Sequence, residues 1–436
     1  MVGFNKKTVK DFNFDGKRAL LRADYNVPVI KGKIADDFRI KQSIDTIKYI
    51  LGHPGASLVI ISHLGRPKSA DDKDCSLKPV AEHLGKLLDR KVQFATDCIG
   101  EAAKSAADQL GEHQILVLEN VRFHPEEEKN DESFAKAIVE ASGAEVFVQD
   151  GFGVVHRAHA STEAITRLLP SVAGLLLANE VETITKVIEE PARPLVSIVG
   201  GAKISDKIEV LNKLIDLSDC VAVVGAMAND FLLAEGVKIG KSLAEPKLLD
   251  TTRGILERAK NEEKHRNFSF LTPVDVVVST KADGRAPTRV VDVFGNNLAD
   301  IEAYPKLPKP AAYSVEPDEI ILDIGPASAA QIAGAIRLAN TVIWNGTCGV
   351  TETKGIAGAA DPFAHGTHTI VEAMIGDTNK HANRPFTLVG GGDTVSYVEE
   401  QGLTEDFGFV STGGGASLEL ISGHKLPGVE ALENKN

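Results

Sequence analysis

Along the first 160 residues, cationic and amide side chains recur just after short apolar runs. Arg22, Asp24 and Asn26 end the first run, in R-A-D-Y-N-V-P, and Asp36-Asp37-Phe38-Arg39 follows soon after. A second run leads into Ser62-His63-Leu64-Gly65-Arg66-Pro67 and a third into Glu119-Asn120-Val121-Arg122-Phe123. A fourth leads into His156-Arg157-Ala158-His159. A single arginine is most often a solvated surface group. An arginine at each of several run ends is a different matter, because planar guanidinium forks match carboxylate and phosphate oxygens. The joint reading is a pocket for a small polyanion. The His156-x-x-His159 spacing could suit a metal, but no third ligand is evident nearby, so phosphate contact or surface display is the better reading.

The second half carries different chemistry. Val199-Gly200-Gly201-Ala202-Lys203-Ile204-Ser205-Asp206-Lys207 places two glycines after a run, and two lysines four apart in what reads as the following helix. Lysines at that spacing share a helix face, and the helix N-terminus is itself an anion site. Val389-Gly390-Gly391-Gly392-Asp393-Thr394 repeats the device with an acid in place of lysine. Its glycines let backbone N–H groups approach phosphate, and Asp393 could hold an accompanying Mg²⁺. Thr412-Gly413-Gly414-Gly415-Ala416 is a third such loop. Three loops converging at strand ends point to a nucleotide. Gly236-Val-Lys-Ile-Gly240-Lys241-Ser242 is one residue short of a Walker A loop and follows no strand, and Gly390-Gly391-Gly392 does not meet the dinucleotide fingerprint. Cys348, on a Gly346-Thr347-Cys348-Gly349 turn, is the rival site as a nucleophile, but nothing in the sequence supplies its base.

These residues need a scaffold that brings run ends together. Apolar, β-branched runs lie at 18–25, 58–62, 115–118, 146–149, 195–199, 220–224, 274–279, 319–323, 341–344, 386–389 and 407–411, alternating with amphipathic stretches. That alternation predicts an α/β fold of parallel sheets covered on both faces, with ligands beyond the carboxyl ends of the strands. A length of 436 residues predicts two domains. A helix over 177–190 that stops at Pro191 and Pro194 reads as the connector, with an ordinary surface helix within one domain as the other reading. The net charge of −13 argues against nucleic acid and anionic membranes, so any anionic ligand needs a local basic cluster. No apolar run is long enough to span a membrane, the opening residues lack a signal-like apolar stretch, and four scattered cysteines fit a reducing cytoplasm.

Taken in order, R-A-D-Y-N-V-P, D-D-F-R-I, S-H-L-G-R-P, L-E-N-V-R-F-H-P-E-E-E, H-R-A-H-A-S, G-G-A-K-I-S-D-K-I, L-D-I-G-P, W-N-G, G-G-G-D-T and S-T-G-G-G-A-S-L-E-L resemble phosphoglycerate kinase over nearly the whole chain. The resemblance implies two doubly wound, Rossmann-like domains in a bilobal, hinge-bending kinase. It implies a 3-phosphoglycerate domain at 1–176 with 418–436 packing back onto it, a hinge at 177–194, and a nucleotide domain at 195–417. It assigns the acid substrate to Asp24, Asn26, Arg39, His63, Arg66, Arg122 and Arg157. It assigns ATP or ADP to Lys203, Lys207, Glu352, Gly391, Gly392, Asp393 and Thr394, with Glu352 at the ribose and Mg²⁺ on Asp393. Arg39 and Lys207, from opposite lobes, are expected to neutralise the transferred phosphoryl group, and Lys203 to steady the nucleotide. A cytoplasmic monomer acting on small molecules follows from the same likeness. The chain departs from the family pattern at Gln149, Gly151, Val154-Val155, Ile321, Thr347, Cys348 and Thr351, in the extra residues 354–360, and across 281–318. A cysteine-dependent hydrolase and a catalytically inert binding protein are the other readings open to this sequence.

Overall fold

The computed structural model describes residues 4–69, 72–294, 314–356, 359–376 and 384–435. The chain divides into two compact units, residues 1–185 with 412–436, and residues 186–411. One division falls inside the helix Leu175–Glu189 and the other at 411/412, where the sequence suggested 177–194 and 417/418.

The first unit is built on a six-stranded parallel sheet. Its spatial order is Val92–Phe94, Ile115–Val117, Ser57–Ile61, Arg18–Arg22, Val146–Gln149, Ser171–Ala173. Successive residues of the central strands feed opposite cores. Ala19, Leu21, Leu58 and Ile60 join one cluster, while Leu20, Val59 and Ile61 join the other. Burial on both faces explains why these strands read as continuous apolar runs. The covering helices carry local signals. Glu132–Ser142 begins at Asp131, whose carboxylate accepts the Phe134 N–H at 3.0 Å, and ends at Gly143 in the left-handed region. The strand order reverses direction between Arg18–Arg22 and Val146–Gln149, the place where ligands bind in open parallel sheets.

The second unit repeats the plan. Its parallel sheet runs Ser269–Leu271, Cys220–Val223, Leu195–Val199, Thr341–Asn345, Phe386–Gly390, Phe409–Val410. The reversal point lies between Leu195–Val199 and Thr341–Asn345. The expectation of parallel pairing fails for two runs. Asp275–Ser279 and Ile320–Ile324 belong to a separate three-stranded sheet with Thr288–Asp292 and pair antiparallel. Ser279 pairs with Thr288, and the link between them is too short for the crossover that a parallel pair requires. Residues 295–313, within the hard-to-read stretch 281–318, lie outside the described residues.

Asp275 ties this small sheet to the helix Pro326–Leu338. Its buried carboxylate accepts the N–H groups of Ala327 at 3.0 Å and Ser328 at 2.8 Å, and the Ser328 hydroxyl at 2.6 Å. A Cβ on Gly325 would fall 2.2 Å from that carboxyl, so the approach depends on glycine there. Removing the acceptor strands buried donors at a helix N-terminus. Asp275→Ala is therefore expected to cost about 1–3 kcal/mol. Chemical denaturation would register this as a lower midpoint at unchanged slope; an unchanged midpoint would mean that water takes over the contact.

Candidate functional site

In the first unit the strand ends assemble a cationic pocket. Asp24, buried just past the strand Arg18–Arg22, pairs through Oδ2 with Arg39 Nη1 at 3.0 Å. The same Arg39 nitrogen donates to the Asn26 carbonyl at 3.2 Å, so the guanidinium is held while a quarter of the side chain remains open to solvent. Asn26 Oδ1 accepts the Gly65 N–H at 2.8 Å, and Arg122 Nη1 donates to the Gly65 carbonyl at 3.0 Å. Gly65 is thus pinned from both sides, in a left-handed conformation with φ of 62°. Cys75 Sγ sits 2.9 Å from where a Cβ would be. The pinned turn presents Arg66 to solvent. Arg157 is half-buried, with Nε 3.1 Å from His156 Nε2, and Arg122 Nε pairs with Glu128 at 3.2 Å.

Two residues of the cationic set face inward. Arg22 is buried, donates to Ser161 Oγ at 2.8 Å and is offset by the buried Glu127, so it serves the scaffold. His63 is buried too. Burial, with Arg22, Arg122, Arg39 and Arg157 close by, pushes its imidazole well below the usual value and keeps it neutral. That four guanidinium groups act on one ring measures how tightly the cations gather.

Among the described residues no third ligand joins His156 and His159. His159 is buried and pushed down to about 4 by burial and by Arg122 and Arg22. Among the described residues, metal-ligand chemistry clusters at Asp97, Cys98 and His124. Asp97 Oδ1 is taken up there by the N–H groups of Cys98 at 2.7 Å and Ile99 at 3.4 Å and by His124 Nε2 at 2.8 Å, and burial raises the Cys98 thiol. A turn accounts for that cluster.

In the second unit three neighbouring strands, Leu195–Val199, Thr341–Asn345 and Phe386–Gly390, each run out into glycine. Gly346 has φ of 110°, and a Cβ on it would lie 2.3 Å from the Gly200 backbone. Only two glycines allow that approach. Gly391 has φ of 94° and lies against the Asn345 amide. The expected shared helix face of Lys203 and Lys207 is corrected: residues 203–207 precede the helix Ile208–Leu217. Lys203 is exposed, whereas Lys207 folds beneath Gly201, its Cε 3.2 Å from the position of a Cβ there.

Lys207 is the pivotal group. Its side chain is 9% exposed, and its ammonium donates to Asn345 Oδ1 and, at 3.4 Å, to the Asn345 carbonyl. Burial pushes its pKa down to about 8, against the pull of Asp393 and Asp206. It also occupies the N-cap position of a helix, where positive charge is disfavoured. Its hydrogen-bond partners are an amide and a carbonyl rather than a carboxylate. Asp393, exposed in the first turn of the helix Gly392–Glu400, lines the adjoining cavity of about 170 Å³ together with Gly201, Gly225, Gly346 and Glu352. Leu232, Pro273, Val276 and Ile321 make an apolar wall. An exposed hard carboxylate such as Asp393 beside an anion cradle suits Mg²⁺ shared with phosphates.

Further site assignments shift. Thr394 is buried, and its hydroxyl accepts the Gly346 N–H at 2.7 Å, so it holds the turn. The third glycine loop falls in the first unit, to which the residues from Thr412 onward belong. There Thr412 donates through N and Oγ1 to Glu180 Oε1, at 2.6 and 2.8 Å. Cys348 is buried, its N–H goes to Thr367 Oγ1 at 2.9 Å, and burial beside Asp323 pushes its thiol well up, which removes it as a nucleophile. Sequence reasoning missed Asn345, whose Nδ2 is buried without a hydrogen-bond partner. Its position at a strand end before glycine was the available signal.

The sequence profile described as phosphoglycerate kinase matches residues 9–424. A phosphoglycerate kinase of Pelotomaculum thermopropionicum is 44% identical over 430 residues, covering 99% of this chain and 100% of the relative. One from Chloroflexus aurantiacus is 44% identical over 433 residues, covering 99% of each. The structure of phosphoglycerate kinase from Coxiella burnetii superposes with a TM-score of 0.76 at 34% identity, covering 98% of each chain. That from Pyrococcus horikoshii gives 0.77 at 28% identity with the same coverage.

The charge on Lys207 has a stability consequence. Its folded pKa of about 8 lies below the unfolded value of about 10.4, so the unfolded chain binds more protons between these values. Stability should rise with pH across that window, and the cost is fully present at pH 7. Lys207→Met is expected to stabilise the ligand-free protein by about 1–3 kcal/mol at pH 7, with the gain shrinking toward pH 10. Thermal unfolding across pH checks this, and a destabilised variant at pH 7 would show that the Asn345 contact outweighs desolvation.

Proposed function

The chain belongs to the phosphoglycerate kinase family, and on that premise we propose that the arginine pocket takes 3-phosphoglycerate or 1,3-bisphosphoglycerate and the glycine-lined cavity takes ATP or ADP. The chain is a phosphotransferase that moves a phosphoryl group between 1,3-bisphosphoglycerate and ADP. The observation that carries the assignment of sites is Lys207, a desolvated cation beside two glycine turns and Asp393.

In this reading Arg66, Arg122 and Arg157 bind the substrate's distal phosphate and carboxyl end. Asp24 and Asn26 act mainly by aiming Arg39 and the Gly65 turn, and neutral His63 closes the pocket floor. Arg39 and Lys207 neutralise the oxygens of the phosphoryl group in transit, and Lys203 steadies the nucleotide phosphates. The backbone N–H groups of Gly391 and Gly392 complete the cradle, and Glu352 meets the ribose. Asp393 would hold Mg²⁺, which when bound neutralises phosphate charge. The acyl phosphate leaves as a stable carboxylate, so no general base is required in the direction of ATP synthesis. Transfer needs the reacting atoms roughly 3–3.5 Å apart in a site closed to water, so hinge bending accompanies catalysis. We also place the enzyme in the cytoplasm as a monomer; no helix among the described residues is long and apolar enough to cross a membrane, and all four cysteines are free.

A coupled assay with 3-phosphoglycerate and MgATP tests the activity directly. Arg39→Ala should lower kcat about 10²–10³-fold while leaving the Kd for MgADP within twofold, since Arg39 belongs to the other unit. Near-normal turnover would remove Arg39 from the mechanism. Asp393→Asn should raise the Mg²⁺ concentration needed for half-maximal rate, because one anionic ligand is lost. An unaltered Mg²⁺ dependence would place the ion elsewhere.

A further inference from the structure

We propose that Asp323 is a positioning residue for the nucleotide: it locks the turn 346–352 against the helix His365–Ile375 and so sets where that turn meets the bound ligand. The inference rests on the reading that the second unit's cavity holds ATP or ADP.

Asp323 sits one residue before the end of the strand Ile320–Ile324, is 2% exposed, and borders the cavity. Its Oδ2 accepts the Gly366 N–H at 2.9 Å, and its Oδ1 accepts the Ile324 N–H at 2.9 Å. Gly366 lies in the first turn of the helix His365–Ile375, and the His365 N–H also points to the carboxylate. Asp323 therefore supplies an anion to a helix N-terminus that has no side-chain cap of its own.

The carboxylate is wedged between two glycines. A Cβ on Gly349 would lie 2.6 Å from the Asp323 carboxyl, and one on Gly366 would lie 2.6 Å from Oδ1 and 3.0 Å from Cys348 Cβ. The turn is fastened at further points. Cys348 N–H goes to Thr367 Oγ1 at 2.9 Å, Val350 N–H to the Leu322 carbonyl at 3.0 Å, and Gly225 N–H to the Cys348 carbonyl at 3.2 Å. Gly346, Thr347 and Glu352, at the two ends of the turn, all border the cavity. Both carboxylate oxygens are taken by N–H donors, so Asp323 acts on the ligand through that turn although it also borders the cavity.

The carboxylate's charge state matters because both oxygens face N–H donors. Burial outweighs those donors and raises its pKa to about 7. Protonation would turn one oxygen into a donor facing another donor and loosen the turn. The titratable side chains that face it are the Cys348 thiol and the Tyr397 phenol. Both are pushed up, mainly by burial, and stay neutral through this range; Asp361 and Glu372 act on Tyr397 beyond them.

The test is the Kd of MgADP from calorimetry, for the wild type and Asp323→Asn, between pH 6 and 8. Taking the ratio at each pH cancels the titration of the nucleotide. At pH 8 the wild type should bind about tenfold more tightly, and the ratio should close toward one at pH 6. The KM for 3-phosphoglycerate should not move. Thr367→Val frees the same turn at Cys348 without touching Asp323 and should weaken MgADP severalfold; it also serves if the Asn variant does not fold. A wild type that binds no MgADP would withdraw the nucleotide reading itself. A ratio flat across pH, or an unchanged Kd in Thr367→Val, would withdraw the positioning role and leave that reading in place.

Discussion

Taking cations out of water with less anion than would balance them is the costly arrangement around which both units are organised. In the second unit it is Lys207, bent under Gly201 and held by a neutral amide and a carbonyl, at a helix end that repels positive charge. In the first it is a group of guanidiniums near His63, balanced in part by Asp24, Glu127 and Glu128. Such charges are tolerated because the parallel sheets around them supply ample apolar burial. They become useful when a phosphate or carboxylate arrives, since the desolvation cost has already been met and the new contacts form in a medium of low polarity.

The glycines follow from this placement. For Lys207 to lie beneath the chain, Gly201 must lack a Cβ; for the strands Leu195–Val199 and Thr341–Asn345 to end side by side, Gly200 and Gly346 must touch backbone to backbone. Bare backbone at that point also exposes N–H groups to whatever fills the cavity. Steric necessity and ligand binding therefore select the same residue type, and a glycine loop in sequence does not reveal which one is at work. The loop at 413–415 illustrates the difficulty. It has the same composition as residues 390–392, yet Gly413 is required because Phe152 fills the space a Cβ would need.

Much of the fold was legible because burial on both faces makes a parallel strand a continuous apolar run. The eleven runs marked from the sequence all contain strands. Val92–Phe94, with every residue only partly buried, gave no such signal and was missed, as was the edge strand Ser269–Leu271. Strand direction was not legible for Asp275–Ser279, since an antiparallel strand buried on both faces reads like a parallel one. In the site, residue types were readable and orientations were not. Arg22 and Asp24 are two apart on an extended segment, yet one serves the scaffold and the other orients a pocket arginine, a distinction made by Ser161 and Glu127 from distant sequence. The lysines four apart suggested a helix face, and the glycines before them instead delay the helix start to Ile208.

The acids obey a rule of their own. Three times a carboxylate on or next to a strand end takes the N–H groups at the start of a helix, and each time a glycine makes the room. Asp150 accepts from Leu177 at 3.1 Å beside Gly174, Asp275 from Ser328 beside Gly325, and Asp323 from Gly366 beside Gly349. These helices, Leu175–Glu189, Pro326–Leu338 and His365–Ile375, are thereby fixed to their sheets by buried carboxyl groups as well as by packing. A chain with a net charge of −13 can spend acids in this way because each is neutralised by a helix end rather than by a lysine or arginine. The basic residues remain free to gather where an anionic ligand is to be met, as the arginines do around His63 and Lys207 does beneath Gly201.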